Sequence, residues 1–304
     1  MNLFSFTAEF TDEQSCQDHF KEQRDKEGVT CKKCGGKHHY WLKNKTMYQC
    51  ADCSFRTSLR SGTVMESSKL PFLVWYKTIF LITATKKGFS SKEIQKQLGL
   101  KRYEPVWAMV HKLRKAMGER DDLYTLEGMI EMNEGYFKIE TSKKDKENLK
   151  HRKGSQVQSN VGVMAESTIL EDIKTGKQSS QCRFFKLKVL DSHQSDSINE
   201  MVKHSISEQS IIFSDKSASY VDLSDYVEMH ITEKSTKETT EKTLKWVHIT
   251  ISNAKRTLPG NYHKIKGKYL QLYLNEFVYK LNRRYFGDKI FDRLVIASIS
   301  HTGK

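Results

Sequence analysis

The chain has 304 residues, enough for two domains or three small ones with at least one sizeable core. Lys plus Arg number 51 against 37 Asp plus Glu, a formal net charge of +14 that favours a polyanionic partner, nucleic acid before an anionic membrane surface. The most apolar run, FLVWYKTIFLITAT (72–85), contains Lys77 and is too short to cross a bilayer, and MNLFSFTAEFTDEQ lacks the basic start and apolar stretch of a signal peptide, so a soluble intracellular protein is expected.

Residues 1–28 pass from scattered aromatics (Phe4, Phe6, Phe10) into a charged helical stretch, DEQSCQDHFKEQRDKEG. Short strand-like pieces follow over 29–60 and carry four of the six cysteines. Cys31-x2-Cys34, a gap of fifteen residues, then Cys50-x2-Cys53 has the spacing of a four-thiolate zinc site. Each C-x2-C makes a tight knuckle that aims two sulfurs at one ion, and two knuckles complete a tetrahedron. Gly35 and Gly36 sit where the chain must turn sharply. Two disulfides are the alternative, disfavoured in a chain of this size and cysteine content. Four protein ligands leave no open position, so the predicted zinc is structural. Lys32, Lys33, Lys37, Lys43, Lys45, Arg56 and Arg60 surround it, either a DNA-facing rim or a solvated one.

Residues 70–120 read as helical, with Pro71 suited to a first turn. In SSKEIQKQLGLKRYEPVWAMVHKLRKAM, Ser90 or Ser91 can cap a short helix with Glu93 in a capping box. Ile94 and Leu98 share a face, Gly99 ends the helix, and a second helix is expected over about 103–117. Val106, Val110 and Leu113 form its inner stripe; Lys101, Arg102, Lys112, Arg114 and Lys115 are read as basic and mostly outward. This is the layout of a helix-turn-helix with a groove-reading second helix. A helical hairpin with no DNA role is the competing reading; the basic face and the neighbouring ribbon favour DNA.

From 126 to 235 the period changes to that of strands: GMIEMNEGYFKI, SNVGVMAES, CRFFKLKVL, SIIFSD and YVEMHIT. One helix is expected at 195–206, and the charged stretch 141–155 is read as a solvated, mobile connector. The pattern turns helical again from about 239, is broken by Pro259 and Gly260, and resumes over 268–286.

The C-terminal run WVHITISNAKRTLPGNYHKIKGKYLQLYLNEFVYKLNRRYF (246–286), taken with the ribbon and the helix-turn-helix before it, resembles the transposases of one group of small bacterial insertion sequences. The resemblance extends from about 10 to 297. It implies an α/β fold: a ribonuclease-H-like mixed sheet flanked by helices, preceded by a small zinc ribbon and a helix-turn-helix unit. The expected parts are 1–65, 66–122 and 123–304. It also implies DNA phosphoryl transfer at a triad of metal-holding residues, with Mg2+ or Mn2+ as the catalytic ion beside the structural Zn2+.

Carried onto this chain, the first acidic position, in a stretch resembling DEGYF, is Asn133. The second is Asp215, with Tyr220 after it. The third, which varies in such enzymes, is His248, with Lys255 two helical turns on. A helix histidine bonded to a neighbour would be the ordinary reading of His248; the surrounding motif reverses it. Lys255 and Arg256 are expected against DNA phosphate. The leading carboxylate has thus become an amide, a poorer ligand for Mg2+, and Asp215 is the one acid left in the triad. Glu131, two residues earlier on the same strand face, is the expected substitute ligand; Glu134 points to the other face unless the strand bulges. The resemblance further implies element ends and target DNA as partners, a homodimer or larger assembly on DNA, no membrane, and a cytoplasmic, nucleoid-associated location. A catalytically inactive or co-opted repressor-like DNA-binding protein is the alternative, and Asn133 is what favours it.

Overall fold

A computed structural model describes residues 1–140, 158–171, 178–191, 195–234, 236 and 243–300. The chain divides into two compact units, residues 121–282 and the rest. The expected connector 141–155 lies outside the described residues.

In the first unit, α1 (Leu3–Glu9) is capped by the Asn2 side chain, which accepts from Ser5 N. α2 (Glu13–Glu27) starts with a capping box between Asp12 and Ser15 and ends at Gly28, whose φ of +87° suits only glycine well. Its buried stripe is Cys16, Phe20 and Arg24, four apart. The Arg24 guanidinium donates to the carbonyls of Ser58, Leu59 and Ser61, which satisfies a buried cation and ties α2 to the ribbon. The ribbon is an antiparallel sheet of β1 (His39–Leu42), β2 (Met47–Cys50) and β3 (Arg56–Ser58).

α3 (Phe72–Ala84) follows Pro71 and has no side-chain cap of its own. Glu13 supplies one from α2, accepting from Phe72 N at 2.8 Å and Leu73 N at 2.9 Å. α4 (Ser91–Gln97) opens with the expected Ser90–Glu93 capping box, and Gly99 at φ +63° follows it. α5 (Glu104–Asp122) runs five residues past its expected end.

The second unit is a five-stranded sheet in the order β6-β5-β4-β7-β8. These are β4 (Met129–Lys138), β5 (Gln158–Glu171), β6 (Gln178–Val189), β7 (Ile211–Asp215) and β8 (Met229–Glu233). β5 is antiparallel to both its neighbours, while β4, β7 and β8 run parallel. This is the ribonuclease-H-like mixed sheet. Alternation along β4 sends Ile130 and Met132 into one core with Met164, Ile212 and α6 (Ser195–Ser205). The other face packs Val161, Val163, Ala165 and Phe137 against α7 (Lys245–Asn261) and α8 (Leu270–Asn282). α7 continues two residues beyond Pro259 rather than breaking there. A proline so near a helix end removes only one late backbone bond.

The last helix, α9 (Ile290–Ser300), belongs to the first unit, not to the sheet unit into which a 123–304 boundary would put it. Phe291 packs on Phe10 at 5.5 Å and on Phe6 and Tyr76, each at 5.8 Å between ring centroids. Val64 N donates to Ser298 O. Among the described residues no helix is long and apolar enough to cross a membrane.

Candidate catalytic and zinc-binding sites

The four ribbon cysteines are free thiols whose sulfurs all lie within 4.8 Å of one another. Cys31 Sγ is 3.5 Å from Cys53 Sγ, and Cys34 Sγ is 3.5 Å from Cys50 Sγ. A tetrahedron with Zn–S bonds of about 2.3 Å has edges of about 3.8 Å, so the cluster fits one zinc. Both knuckles close alike: Gly35 N donates to Cys31 O and Ser54 N to Cys50 O, with Gly35 and Ser54 left-handed at φ +76° and +57°. At Gly36 a Cβ would displace the Asp52 carboxylate and lie 3.2 Å from Cys50 Sγ, so the glycine leaves room beside the cluster. The ribbon therefore carries a structural Zn2+ site of Cys31, Cys34, Cys50 and Cys53.

In the sheet unit, the parallel ladder pairs Met132 with Ser214. The next residues, Asn133 within β4 and Asp215 at the end of β7, therefore lie side by side on one face where that parallel ladder stops. His248, in the first turn of α7, meets them there: its Nε2 is 3.4 Å from Asn133 Nδ2. Burial pushes the Asp215 carboxyl up and the His248 imidazole down, each effect opposed by their mutual attraction. Asp215 Oδ1 is buried and has no hydrogen-bond partner. Asn133 Oδ1 accepts from Glu134 N at 2.7 Å. An orphaned carboxylate oxygen beside an imidazole nitrogen is the arrangement a divalent cation completes. One carboxylate, one imidazole and one amide suit a single ion, and suit Mn2+ better than Mg2+ because imidazole is a poor magnesium ligand.

Lys255 lies two turns further along α7, exposed, with Nζ 5.9 Å from the Phe137 ring centroid. Arg256 is exposed beside it and donates to Asn253 Oδ1.

Glu131 is 4 % exposed and shares the Asn133 face of β4, but one of its oxygens is already engaged. Oε2 accepts from Trp246 N at 2.6 Å and Val247 N at 3.2 Å, the opening N–H groups of α7. Burial pushes its carboxyl up to about 7 despite those two bonds and Lys245. Glu134 faces the other way: the β4–β5 ladder is unbroken from Met129 to Lys138, so no bulge turns it. It accepts from the Asn160 amide and from the buried Tyr220 hydroxyl.

Among the expected DNA-facing cations, Lys101 and Arg102 are exposed in the turn before α5, and Lys115 is exposed with Glu119 at 3.7 Å. Lys112 donates to Glu66 O at 2.8 Å. Arg114 is not outward: it is fully buried, with its guanidinium 3.2 Å from His111 Nδ1. The buried face of α5 is wider than the stripe Val106, Val110 and Leu113, taking in Met109, His111, Ala116 and Met117, and Arg114 falls within it.

Arg24 and the α7-capping bonds of Glu131 escape sequence reasoning. Arg24 leaves a trace, a cation at the 16, 20, 24 positions of an apolar stripe; a strand carboxylate capping a helix 115 residues away leaves none.

Comparison with known families adds two matches. The ISXO2-like transposase domain model matches residues 125–282, just over half the chain, and the transposase zinc-ribbon domain model matches residues 11–56. No curated protein matches the chain. The sheet order, the four-thiolate ribbon and these matches converge: the chain belongs to the ISXO2-like transposase family.

Proposed function

We propose that this chain binds the terminal inverted repeats of a small insertion element and carries the machinery for metal-dependent strand cleavage and transfer, with the chemistry impaired by the amide at Asn133. The observation that carries this reading is the meeting of Asn133, Asp215 and His248, with Asp215 Oδ1 buried and unpartnered. A bound divalent ion would activate the attacking hydroxyl and stabilise the leaving oxygen. Asp215 and His248 would hold that ion. Lys255 neutralises a non-bridging oxygen of the phosphate at the reacting end, and Arg256 holds the flanking backbone. Asn133 offers a neutral amide where a second carboxylate would double the negative charge. Holding two dications on Asp215 alone is electrostatically unfavourable, so the two-ion chemistry of such enzymes is weakened here. Joining two element ends requires at least two copies on DNA, acting on the nucleoid in the cytoplasm.

Asn133 also supports a second reading, a DNA-binding protein that has lost strand transfer and acts as a repressor. Cleavage and joining of cognate end DNA in Mn2+ separates the two. The comparison is between the unmodified chain, Asn133→Asp and Asp215→Ala. Activity gained only with Asn133→Asp supports impairment. Robust cleavage by the unmodified chain, abolished by Asp215→Ala, overturns it. End binding with no cleavage by either the unmodified chain or Asn133→Asp favours the repressor.

A further inference from the structure

We propose that Glu131 is a positioning residue, a strand-borne cap that seats the first turn of α7 so that His248 meets Asn133 and Asp215. The residue before α7 is Leu244, which makes no side-chain capping bond. Helix N-termini leave their first N–H groups without intrahelical partners, and a buried end needs an acceptor from elsewhere. Glu131 provides it, through one oxygen bonded to both Trp246 N and Val247 N. The next residue along the helix is His248.

The contacts continue along the helix. Same-face residues of β4 meet successive points of α7: Glu131 at Trp246 and Val247, Asn133 at His248, and Gly135 at Ile251. Two strand residues advance about 6.6 Å, while these contacts advance only one to three residues of α7, at about 1.5 Å each, so the helix crosses the strand obliquely. Gly135 sets the far end of this seam, because a Cβ there would lie 3.3 Å from Ile251 Cγ1. Glu131 sets the near end. Asn133 and His248 lie between two fixed points. Glu131 thus spends Oε2 on seating the helix that carries His248.

This inference rests on the metal reading of the site for one of its two readouts. The first readout is the side-chain amide resonance of Asn133 in the full chain labelled with 15N-asparagine, which needs no metal. The second is affinity for Mn2+ alone, by titration calorimetry. Glu131→Ala should shift the Asn133 amide and weaken Mn2+ binding by about tenfold or more, the range for residues that orient metal ligands. Glu131→Gln, whose amide oxygen still accepts from both N–H groups, should stay within about threefold of the parent. Leu274→Ala loosens the same core without touching the seam and should change neither readout. If Glu131→Ala does not fold, Glu131→Asp retracts the carboxylate by one methylene and should give the same changes. A parental amide signal in Glu131→Ala, or an equal effect of Leu274→Ala, overturns the proposal. A parent chain that binds no Mn2+ overturns the metal reading alone, and the amide resonance then decides the role of Glu131.

Discussion

Asn133 and His248 stand 115 positions apart in the chain, and their side-chain nitrogens are 3.4 Å apart. Neither can carry a negative charge, so Asp215 sets the electrostatics of the cluster. Asn133→Asp should therefore tighten Mn2+ binding by about tenfold or more, since charge count is a main determinant of affinity at oxygen-rich cation sites. Calorimetric titration of both chains measures it. Equal affinities would mean that position 133 does not face the ion.

The ribbon depends on its metal. Stripping zinc with a strong chelator, or replacing Cys50 with Ser, should unfold residues 29–60, because metal binding and folding are one equilibrium in such modules, with apparent binding energies of about 10–16 kcal/mol. Loss of dispersed amide signals from the ribbon, with those of the sheet unit retained, is the expected spectrum. An intact ribbon after verified zinc removal would sink the structural assignment.

On α5 and the turn before it, exposure separates cations that the sequence grouped together. Lys101→Ala and Arg102→Ala should each lower DNA affinity and reduce the slope of log K against log salt by about 0.9. Arg114→Ala should instead lower the melting temperature, because it empties a buried site beside His111. Should Arg114→Ala lower the salt slope while leaving the melt unchanged, the buried placement is contradicted.

His19 gives the first unit an acid sensitivity. Its Nδ1 is 2.9 Å from the Tyr76 hydroxyl, and burial holds its pKa below the ordinary 6.5, an effect opposed by Asp292. The folded pKa is the lower one, so the unfolded chain binds the proton first as pH falls. The stabilising share of His19 is complete above about 6.5 and is lost as pH drops from there toward the folded value. Melting curves of the parent and His19→Gln at pH 8, 7, 6 and 5 should show nearly the same gap at pH 8 and 7 and the parent losing ground at pH 6 and 5. A gap that stays constant across those pH values would exclude the linkage.

Phe291 joins α9 to the aromatic cluster of Phe6, Phe10 and Tyr76. Phe291→Ala should cost about 3–5 kcal/mol, the usual range for a buried phenylalanine. Urea unfolding measures it. A loss below about 1 kcal/mol would place α9 outside the core.

Much of this architecture is legible from local chemistry. The cysteine spacing specifies a tetrahedron wherever the rest of the chain goes, and the Ser90–Glu93 box starts α4 by neighbours alone. The strands of the sheet declare themselves by alternation. What stays hidden depends on distant pairing. Arg114 reads as a surface cation until the width of the buried face of α5 is known. Glu131 reads as a spare ligand until α7 is laid along β4 and the carboxylate is found under its first turn. The membership of α9 is a third case: its apolar pattern says that it is buried, and only the fold says against what.

That third case has a consequence for synthesis. The unit holding the zinc ribbon and the helix-turn-helix draws core side chains from residues 290–300, including Phe291, Leu294 and Val295. A ribosome delivers those residues only after the whole sheet unit has emerged. Fragments released early thus hold the zinc ribbon and α3 to α5 without the helix that completes their core, so the first unit closes only when synthesis has passed the sheet unit.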